Sequence, residues 1–398
     1  MIRTLSSEKL PIKLWLPYLE DGAEVQAKNL ANLPFAFHHI VILPDSHQGY
    51  GMPIGAVMAT RGVIIPNAVG VDIGCGMCAL KTGLHASEVS ADRLKATMAR
   101  VREAIPVGNG RGGSYEDMVD PGRMPFKKTD ELKTAAPVIY GLFDRARQQL
   151  GTLGGGNHFI EIQQDAEGSV WIMIHSGSRY LGKEVASHYD RWAFELDALW
   201  GLELPRSWQL PYLRLDTEPG RQYKREMDLC VAYALANREA MMQRVLTAFS
   251  EQYSPDDLEP AATINIAHNY AAAETHFGEE VIVHRKGATL ATAGLKGIIP
   301  GSQGTKSYIV MGKGNAESFN SCSHGAGRRM GRKDATRKLN LADEIARMDA
   351  QGIIHGIRNE WDLDEAPGAY KDIGEVMSYQ DDLVDILVEL SPMAVIKG

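Results

Sequence analysis

Val71-Asp72-Ile73-Gly74-Cys75-Gly76-Met77 sets a carboxylate and a thiol three positions apart, held between glycines after an apolar run. Asp offers hard oxygen and Cys offers soft sulfur. In one tight turn they form the seed of a metal site that histidines from elsewhere must complete. The plainer reading is a buried Cys in a Gly-rich turn, with Asp72 capping backbone. Which reading holds depends on what the rest of the chain brings to this turn.

The chain has 398 residues, 44% hydrophobic and 23% charged, with 40 glycines. That glycine content suits many tight turns and close backbone approaches. A net charge of -8 excludes a globally basic nucleic-acid coat but leaves room for a local basic groove. The opening MIRTLSSEKLPIKLW has no apolar h-region, so no secretory signal is expected. No apolar run is long enough for a membrane span. Cys75, Cys78, Cys230 and Cys322 are too sparse for a disulfide scaffold and point to a reduced, cytoplasmic compartment. Neither repeats nor low-complexity linkers divide the chain, so one large domain over residues 1–398 is expected.

Several segments converge on the same kind of setting. His38 to Leu43 predicts a buried strand ending in the loop Pro44-Asp45-Ser46-His47-Gln48-Gly49-Tyr50-Gly51, which displays Asp45 and His47. An ordinary Asp-rich turn is the alternative. Ser90 predicts the cap of a helix over Ala91 to Ile105, with Leu94, Met98, Val101 and Ile105 on its core face. Gly108 to Gly113 is glycine-dense without being a Walker loop and reads as a flexible surface loop. Another helix is expected over Ala136 to Gly151. Gly154-Gly155-Gly156 then delivers Asn157 and His158 onto a strand FIEI, with His158 and Ile160 on one side and Phe159 and Glu161 on the other. A strand from Ser169 to Ile174 ends in His175-Ser176-Gly177-Ser178-Arg179, a turn suited to phosphate through backbone N–H groups and the Arg fork.

Tyr223 to Phe249 reads as a long helix with Met227, Val231, Ala234, Met241, Val245 and Phe249 as its buried stripe. Cys230 belongs to its core side, and Asn237 and Arg238 read as a solvated face. His268 ends the strand predicted over Thr263 to Asn269. The most basic segment runs from Arg328 and Arg329 through Arg332, Lys333, Arg337 and Lys338. It is the candidate phosphate-facing surface, with at least half its charges expected simply to be solvated.

Asp72, Cys75, His158, His175 and His268 thus each stand at a strand end or in a Gly-rich turn. Five such groups exceed the needs of one tetrahedral site, so two metals sharing the thiolate fit them, an arrangement that recurs in phosphoryl transfer. A thiolate with imidazoles also suits zinc or iron. Cys75-x-x-Cys78 as a redox pair or half a zinc ribbon is disfavoured because no second CxxC occurs. A Ser hydrolase at His175-Ser176-Gly177-Ser178 lacks GxSxG and a placed Asp partner.

PDSHQGYG (44–51), VDIGCGM (71–77), GGGNHFIE (154–161), HSGSR (175–179), IAHN (266–269), HRKGAT (284–289), PGSQGT (300–305), SHGAGR (323–328) and the closing IKG occur in that order. This ordered set resembles the RtcB family of RNA-splicing ligases nearly end to end. The resemblance implies an α+β fold, one large mixed domain with sheets flanked by helices and a metal and GTP site in a central cleft. It implies a GTP- and manganese-dependent ligase that joins an RNA 3′-phosphate or 2′,3′-cyclic phosphate to a 5′-hydroxyl through a covalent histidine–GMP adduct. An archease-type activator is then a candidate partner. A metal-dependent RNA phosphoesterase or an RNA-end-binding paralogue is the alternative.

Matched residue by residue, the resemblance implies His324 as the guanylylated residue, with Asp45 and Arg328 as further catalytic groups. Asp72, Cys75, His158, His175 and His268 become ligands of two Mn²⁺ ions, with Cys75 bridging and Cys78 a bystander. Asn157, Glu161, Ser302, Ser307, Gly325, Ala326, Gly327, Tyr370 and Lys397 fall at GTP contacts, Glu161 accepting from guanine N–H groups. Arg179, Arg332 and Lys333 fall at phosphate or RNA contacts. Tyr180, where glycine is usual, and Gly331, where serine is frequent, depart from the pattern and are expected to touch no ligand.

Overall fold

The computed structural model describes residues 1–108, 123–200, 204–258 and 263–398. All but the first residue of the Gly108 to Gly113 stretch lie outside the described residues. The fold is mixed α+β, as the sequence leads one to expect.

A six-stranded sheet has the order β1 (Arg3–Leu5), β2 (Ile12–Leu14), β3 (Ala36–Tyr50), β4 (Met52–Thr60), β12 (Glu279–Lys286), β11 (Asn269–His276). A seven-stranded sheet has the order β10 (Thr263–Ala267), β6 (Gly76–His85), β8 (Ser169–Ser176), β7 (Phe159–Gln164), β17 (Val384–Lys397), β15 (Ser307–Gly312), β14 (Lys296–Ile299). Two small ribbons pair β13 (Ala288–Leu290) with β16 (Ser321–Ser323) and β5 (Val63–Ile64) with β9 (Leu213–Arg214).

The helices are α1 (Asp21–Ala31), α2 (Pro66–Val69), α3 (Ala91–Ala104), α4 (Asp130–Ala135), α5 (Pro137–Gln149), α6 (Arg179–Trp200), α7 (Glu218–Ser250), α8 (Arg332–Lys338), α9 (Leu341–Asp349) and α10 (Ile373–Ser378). None is long and apolar enough to cross a membrane among the described residues.

Alternation along the strands explains the layers. Cys78 and Leu80, Ile160 and Ile162, and Ile172 and Ile174 face α3 and the second half of α7. Their neighbours Met77, Ala79, Phe159 and Met173 face a different core with Ile309, Met348 and Leu363. Burial on both faces is the expected use of such near-continuous apolar runs. In the six-stranded sheet, Ile40, Ile42, Ala56 and Met58 cover the buried stripe Ala23, Ala27 and Leu30 of α1. α3 obeys its sequence: Ser90 Oγ accepts from Arg93 N, and Leu94, Met98 and Val101 are buried.

Two expectations need correction. Pro44 to Gly51 is not a loop, because β3 runs on to Tyr50. Pairing with β4 breaks between Ile42 and His47 and then resumes as His47↔Ile54. The bulge turns Asp45 inward, and Gly55 on the facing strand (φ 79°) leaves room for it. The second concerns α7, which starts at Glu218 and carries most of its predicted stripe buried, with Val231 half-buried. Asn237 and Arg238 are not on a solvated face: both are fully buried and bond to neighbouring segments, with Arg238 Nη2 left without a partner. A smaller point is that α6 begins at Arg179, so the His175–Arg179 turn runs straight into a helix.

Candidate active site

Strand register assembles the first part of the site. Ala267 pairs with Gly76, Gly76 with Ser176, and His175 with both Met77 and Phe159. The residues at these ends are therefore neighbours: Cys75 before β6, His175 in the last turn of the pleat of β8, His158 before β7, and His268 after β10. Two backbone bonds lock the loop, Cys75 N to Asp72 O at 3.1 Å and His268 N to Cys75 O at 2.8 Å. Gly177 lets the Asp72 carboxylate approach; a Cβ there would collide with it.

The side chains close on Cys75. Its Sγ lies 3.2 Å from His175 Nε2 and 3.5 Å from His158 Nε2. His158 Nε2 is also 3.0 Å from Asp72 Oδ2. Two three-residue donor sets result, Cys75/His175/His268 and Asp72/Cys75/His158, each with ligand atoms within 4.8 Å of one another. The thiol is common to both. Cys78, its CxxC neighbour, points instead into the apolar core beneath α7.

The donors suit a cation. His158 Nδ1 donates to Leu153 O at 2.9 Å and His175 Nδ1 to Asn157 O at 3.1 Å. Each Nε2 lone pair is thereby aimed at the sulfur, the arrangement that orients metal-bound imidazoles. Burial pushes His175 and His268 well below the usual imidazole range, so both are neutral and able to ligate. Burial, and after it the charge of Asp72, pushes the Cys75 thiol well up. A cation bound there would supply the positive charge the thiolate lacks. His268 Nδ1 is buried with no hydrogen-bond partner, an orphan that such an ion would satisfy.

The second part of the site is His324, at the end of β16. Its ring lies 4.8 Å, centroid to centroid, from His268. Its backbone N–H donates to Asp45 Oδ2 at 3.0 Å, and Nδ1 lies 2.6 Å from the same oxygen. Nδ1–H donating to Asp45 leaves Nε2 with a free lone pair. Burial would raise the Asp45 carboxyl, but the His324 contacts and the Lys371 ammonium outweigh it and hold it below its ordinary value. Gly287, at φ 59°, makes space: a Cβ there would stand 2.9 Å from His324 Cε1.

The third part is a cavity of about 790 Å³ that reaches from His175 and His324 to Glu161 and Lys397. Volumes of this order are usual for nucleotide-sized ligands. Asn157, Ser302, Gly325, Ala326, Gly327, Arg328, Arg332 and Tyr370 also line it. Glu161, buried on β7, has its carboxyl pushed up to about 8 by burial. Gln163 Nε2 bridges Glu161 Oε2 at 2.7 Å and Ser307 Oγ at 3.0 Å, so Ser307 stands behind the wall. Asp45 stands behind His324 in the same way.

The remaining expected residues fall elsewhere. Arg179 donates to Thr152 Oγ1 at 3.2 Å and to Gly108 O at 3.3 Å, on the thiol side, and is not among the lining residues. Lys333 is exposed on α8. Tyr180 stacks under the Arg145 guanidinium at 3.4 Å, away from the cavity. Gly331 lines the cavity, and a Cβ there meets open space.

Sequence reasoning missed Glu365. This buried carboxylate lies 3.0 Å from both Arg328 Nη1 and Arg332 Nε, 4.0 Å from Lys397 Nζ, and accepts from Tyr370 OH. It sits in a short acidic turn, Glu360–Glu365, with no motif to mark it. Asn269 was also missed. It joins Asp72 O (3.1 Å) to Gly287 N (2.7 Å), tying the Asp72–Cys75 loop to the glycine that makes room for His324.

A family model described as "RtcB: tRNA-splicing ligase RtcB" matches residues 26–398. The chain belongs to the RtcB family of RNA-splicing ligases. It is 40% identical to the RNA-splicing ligase RtcB of Escherichia coli K12, over 99% of each chain. It is 32% identical to the tRNA-splicing ligase RtcB of Thermococcus kodakarensis, over 95% of this chain and 92% of that one. The tRNA-splicing ligase RtcB of Nanoarchaeum equitans is 32% identical, over 100% of this chain and 95% of its own. As an RtcB-family ligase, the protein acts on RNA.

Proposed function

We propose that residues 1–398 form one catalytic unit that works in the cytoplasm, takes GTP and two manganese ions, and joins RNA 3′-phosphate or 2′,3′-cyclic phosphate ends to 5′-hydroxyl ends. One observation carries this reading. His324, its Nδ1 tied to a buried Asp45, stands beside a thiol-centred donor cluster at the floor of a nucleotide-sized cavity. That combination fits a nucleophilic imidazole acting on a metal-assisted phosphate.

Asp72, Cys75, His158, His175 and His268 would hold the two ions, Cys75 bridging. Bound there, the ions supply Lewis-acid stabilisation of phosphate oxygens. The chain's own groups do the rest. Glu161 accepts from guanine N1–H and N2–H₂, and Lys397 approaches the base from the chain end. Asn157, Ser302, Tyr370 and the Gly325-Ala326-Gly327 backbone line the nucleotide's path, with Ser307 behind Glu161. Arg328 holds phosphate.

His324 Nε2 attacks the α-phosphorus. The Nε2–P bond forms as the bond to pyrophosphate breaks, and the imidazole becomes cationic. The Asp45 carboxylate keeps the Nδ1 proton in place and balances that charge in a buried setting, where a fixed countercharge is worth most. GMP then passes from His324 to the RNA 3′-phosphate, and the 5′-hydroxyl displaces it. Arg179, Arg332 and Lys333 are assigned to RNA and phosphate contacts. An archease-type protein is the proposed activator.

The test is labelling with α-phosphate-labelled GTP. Wild type is expected to take up one acid-labile label, and His324→Ala to fold yet take up none. A His324→Ala protein that still labels would remove the assignment. GTP-dependent joining of a cyclic-phosphate RNA to a 5′-hydroxyl RNA separates a ligase from a phosphoesterase.

A further inference from the structure

α7 crosses directly behind the thiol cluster, and two consecutive polar residues in its middle, Asn237 and Arg238, have no exposed surface. Burying an amide and a guanidinium is costly unless their hydrogen bonds to water are replaced. Where those bonds go is therefore informative.

Arg238 Nη1 donates to Gly74 O at 2.9 Å and to Ser176 O at 2.8 Å, and Nε to Asn265 Oδ1 at 2.8 Å. Asn237 Oδ1 accepts from Gly151 N at 2.6 Å and Thr152 N at 3.2 Å. Its Nδ2 lies 3.1 Å from Gly177 O and 3.3 Å from Ser176 Oγ. Ser176 Oγ in turn donates to Leu153 O at 2.8 Å, the carbonyl that orients His158.

Three of these partners lie on segments that carry a donor of the cluster, and the fourth such segment is reached through Ser176 Oγ. Gly74 precedes Cys75, Ser176 follows His175, Leu153 O holds the His158 ring, and Asn265 lies on the strand that leads to His268. One turn of one helix thus holds three of the ligand-bearing segments directly and reaches the fourth through Ser176 Oγ. Arg238 also keeps its charge: burial draws the guanidinium down to about 10, and it stands as a cation within reach of Cys75 and Asp72.

We propose that Asn237 and Arg238 form a positioning clamp that sets the spacing of Cys75, His175, His158 and His268, so that the bridging thiolate is preorganised before metal arrives. Neither residue touches metal or substrate. The inference rests on the reading that the cluster holds metal.

Cobalt(II) is the probe, because thiolate ligation gives it a near-ultraviolet charge-transfer band, and manganese(II) affinity is measured beside it. Arg238→Lys keeps the charge but cannot span three acceptors. It is expected to weaken metal binding about 10–100-fold, the usual effect of removing an outer partner of a metal ligand, and to change the cobalt band. Asn265→Ala leaves both carbonyl bonds of Arg238 intact. It is expected to fold as wild type and bind metal more weakly than wild type, by a smaller factor.

A purely structural role would lower the melting temperature without moving metal affinity per folded molecule or the band. Wild-type affinity and spectrum in Arg238→Lys, or in Asn265→Ala if the lysine variant does not fold, overturns the clamp alone. A wild-type protein that binds neither ion overturns the underlying reading, and the clamp with it.

Discussion

At the scale of single residues, the site separates chemistry that residue identity announces from chemistry that burial creates. Asp72, Cys75, His158, His175 and His268 were legible in sequence because sulfur, imidazole and carboxylate in Gly-rich turns have few other uses together. Glu365 was not, since an acidic residue in an acidic turn reads as solvated until its four partners are seen. Glu161 illustrates the second kind. Its carboxyl is pushed up to about 8, so it is largely protonated at neutral pH, and under the proposed reading guanine donors would favour the anion. GTP binding should then release a proton, and affinity should rise as pH goes from 6.5 towards 8, by at most about tenfold per unit. Calorimetry in buffers across that range measures the slope; a flat profile, or an unchanged slope in Glu161→Gln, contradicts it. Gly287→Ala should be harmful twice over. A Cβ in the left-handed region costs about 1–2 kcal/mol, and here it meets the His324 ring. GTP labelling should fall at least tenfold while far-UV circular dichroism stays native.

At the scale of elements, the sequence read well wherever local periodicity and tertiary burial agree, as in α3 and the strands around Cys75. It failed where they part. Pro44-Asp45-Ser46 carries turn residues, yet β3 absorbs them as a bulge because Asp45 finds His324 on a distant strand. Asn237 and Arg238 have the look of a solvent face, yet their partners come from segments distant in the chain, from Asn265 at 27 positions to Gly74 at 164. No window of local sequence contains that information.

β12 supplies a prediction of its own. His284 is fully buried, accepts from Ile65 N at Nε2 and donates from Nδ1 to Ile282 O. Burial pulls it down to about 4. Between about pH 6.5 and 4 the unfolded chain therefore binds the extra proton, and stability must fall as pH falls through that window, by up to about 3 kcal/mol from this group. Melting temperatures from pH 7 to 4 should drop more steeply for wild type than for His284→Gln. Parallel curves would refute the assignment.

At the scale of the whole molecule, the two donor sets join segments from Asp72 to His268, so an ion bound among them ties the metal loop to three separate strand ends. Saturating manganese at about 100 times its Kd should stabilise the native state by about 2.7 kcal/mol, seen as a rise of a few degrees in melting temperature that chelation reverses. In Cys75→Ala the rise should vanish along with bound manganese. Retention of the full metal content would count against a shared thiolate.

The order of the seven-stranded sheet has a consequence for biosynthesis. β17 is the last strand in chain order, yet it lies between β7 and β15, inside the sheet rather than at its edge. A nascent chain lacking it holds a split sheet with two unpaired edges and no Lys397 in the cavity. A chain cut short of β17 would therefore be a sticky, non-binding product rather than a partly competent enzyme, and quality-control proteases would have an open strand edge by which to recognise it.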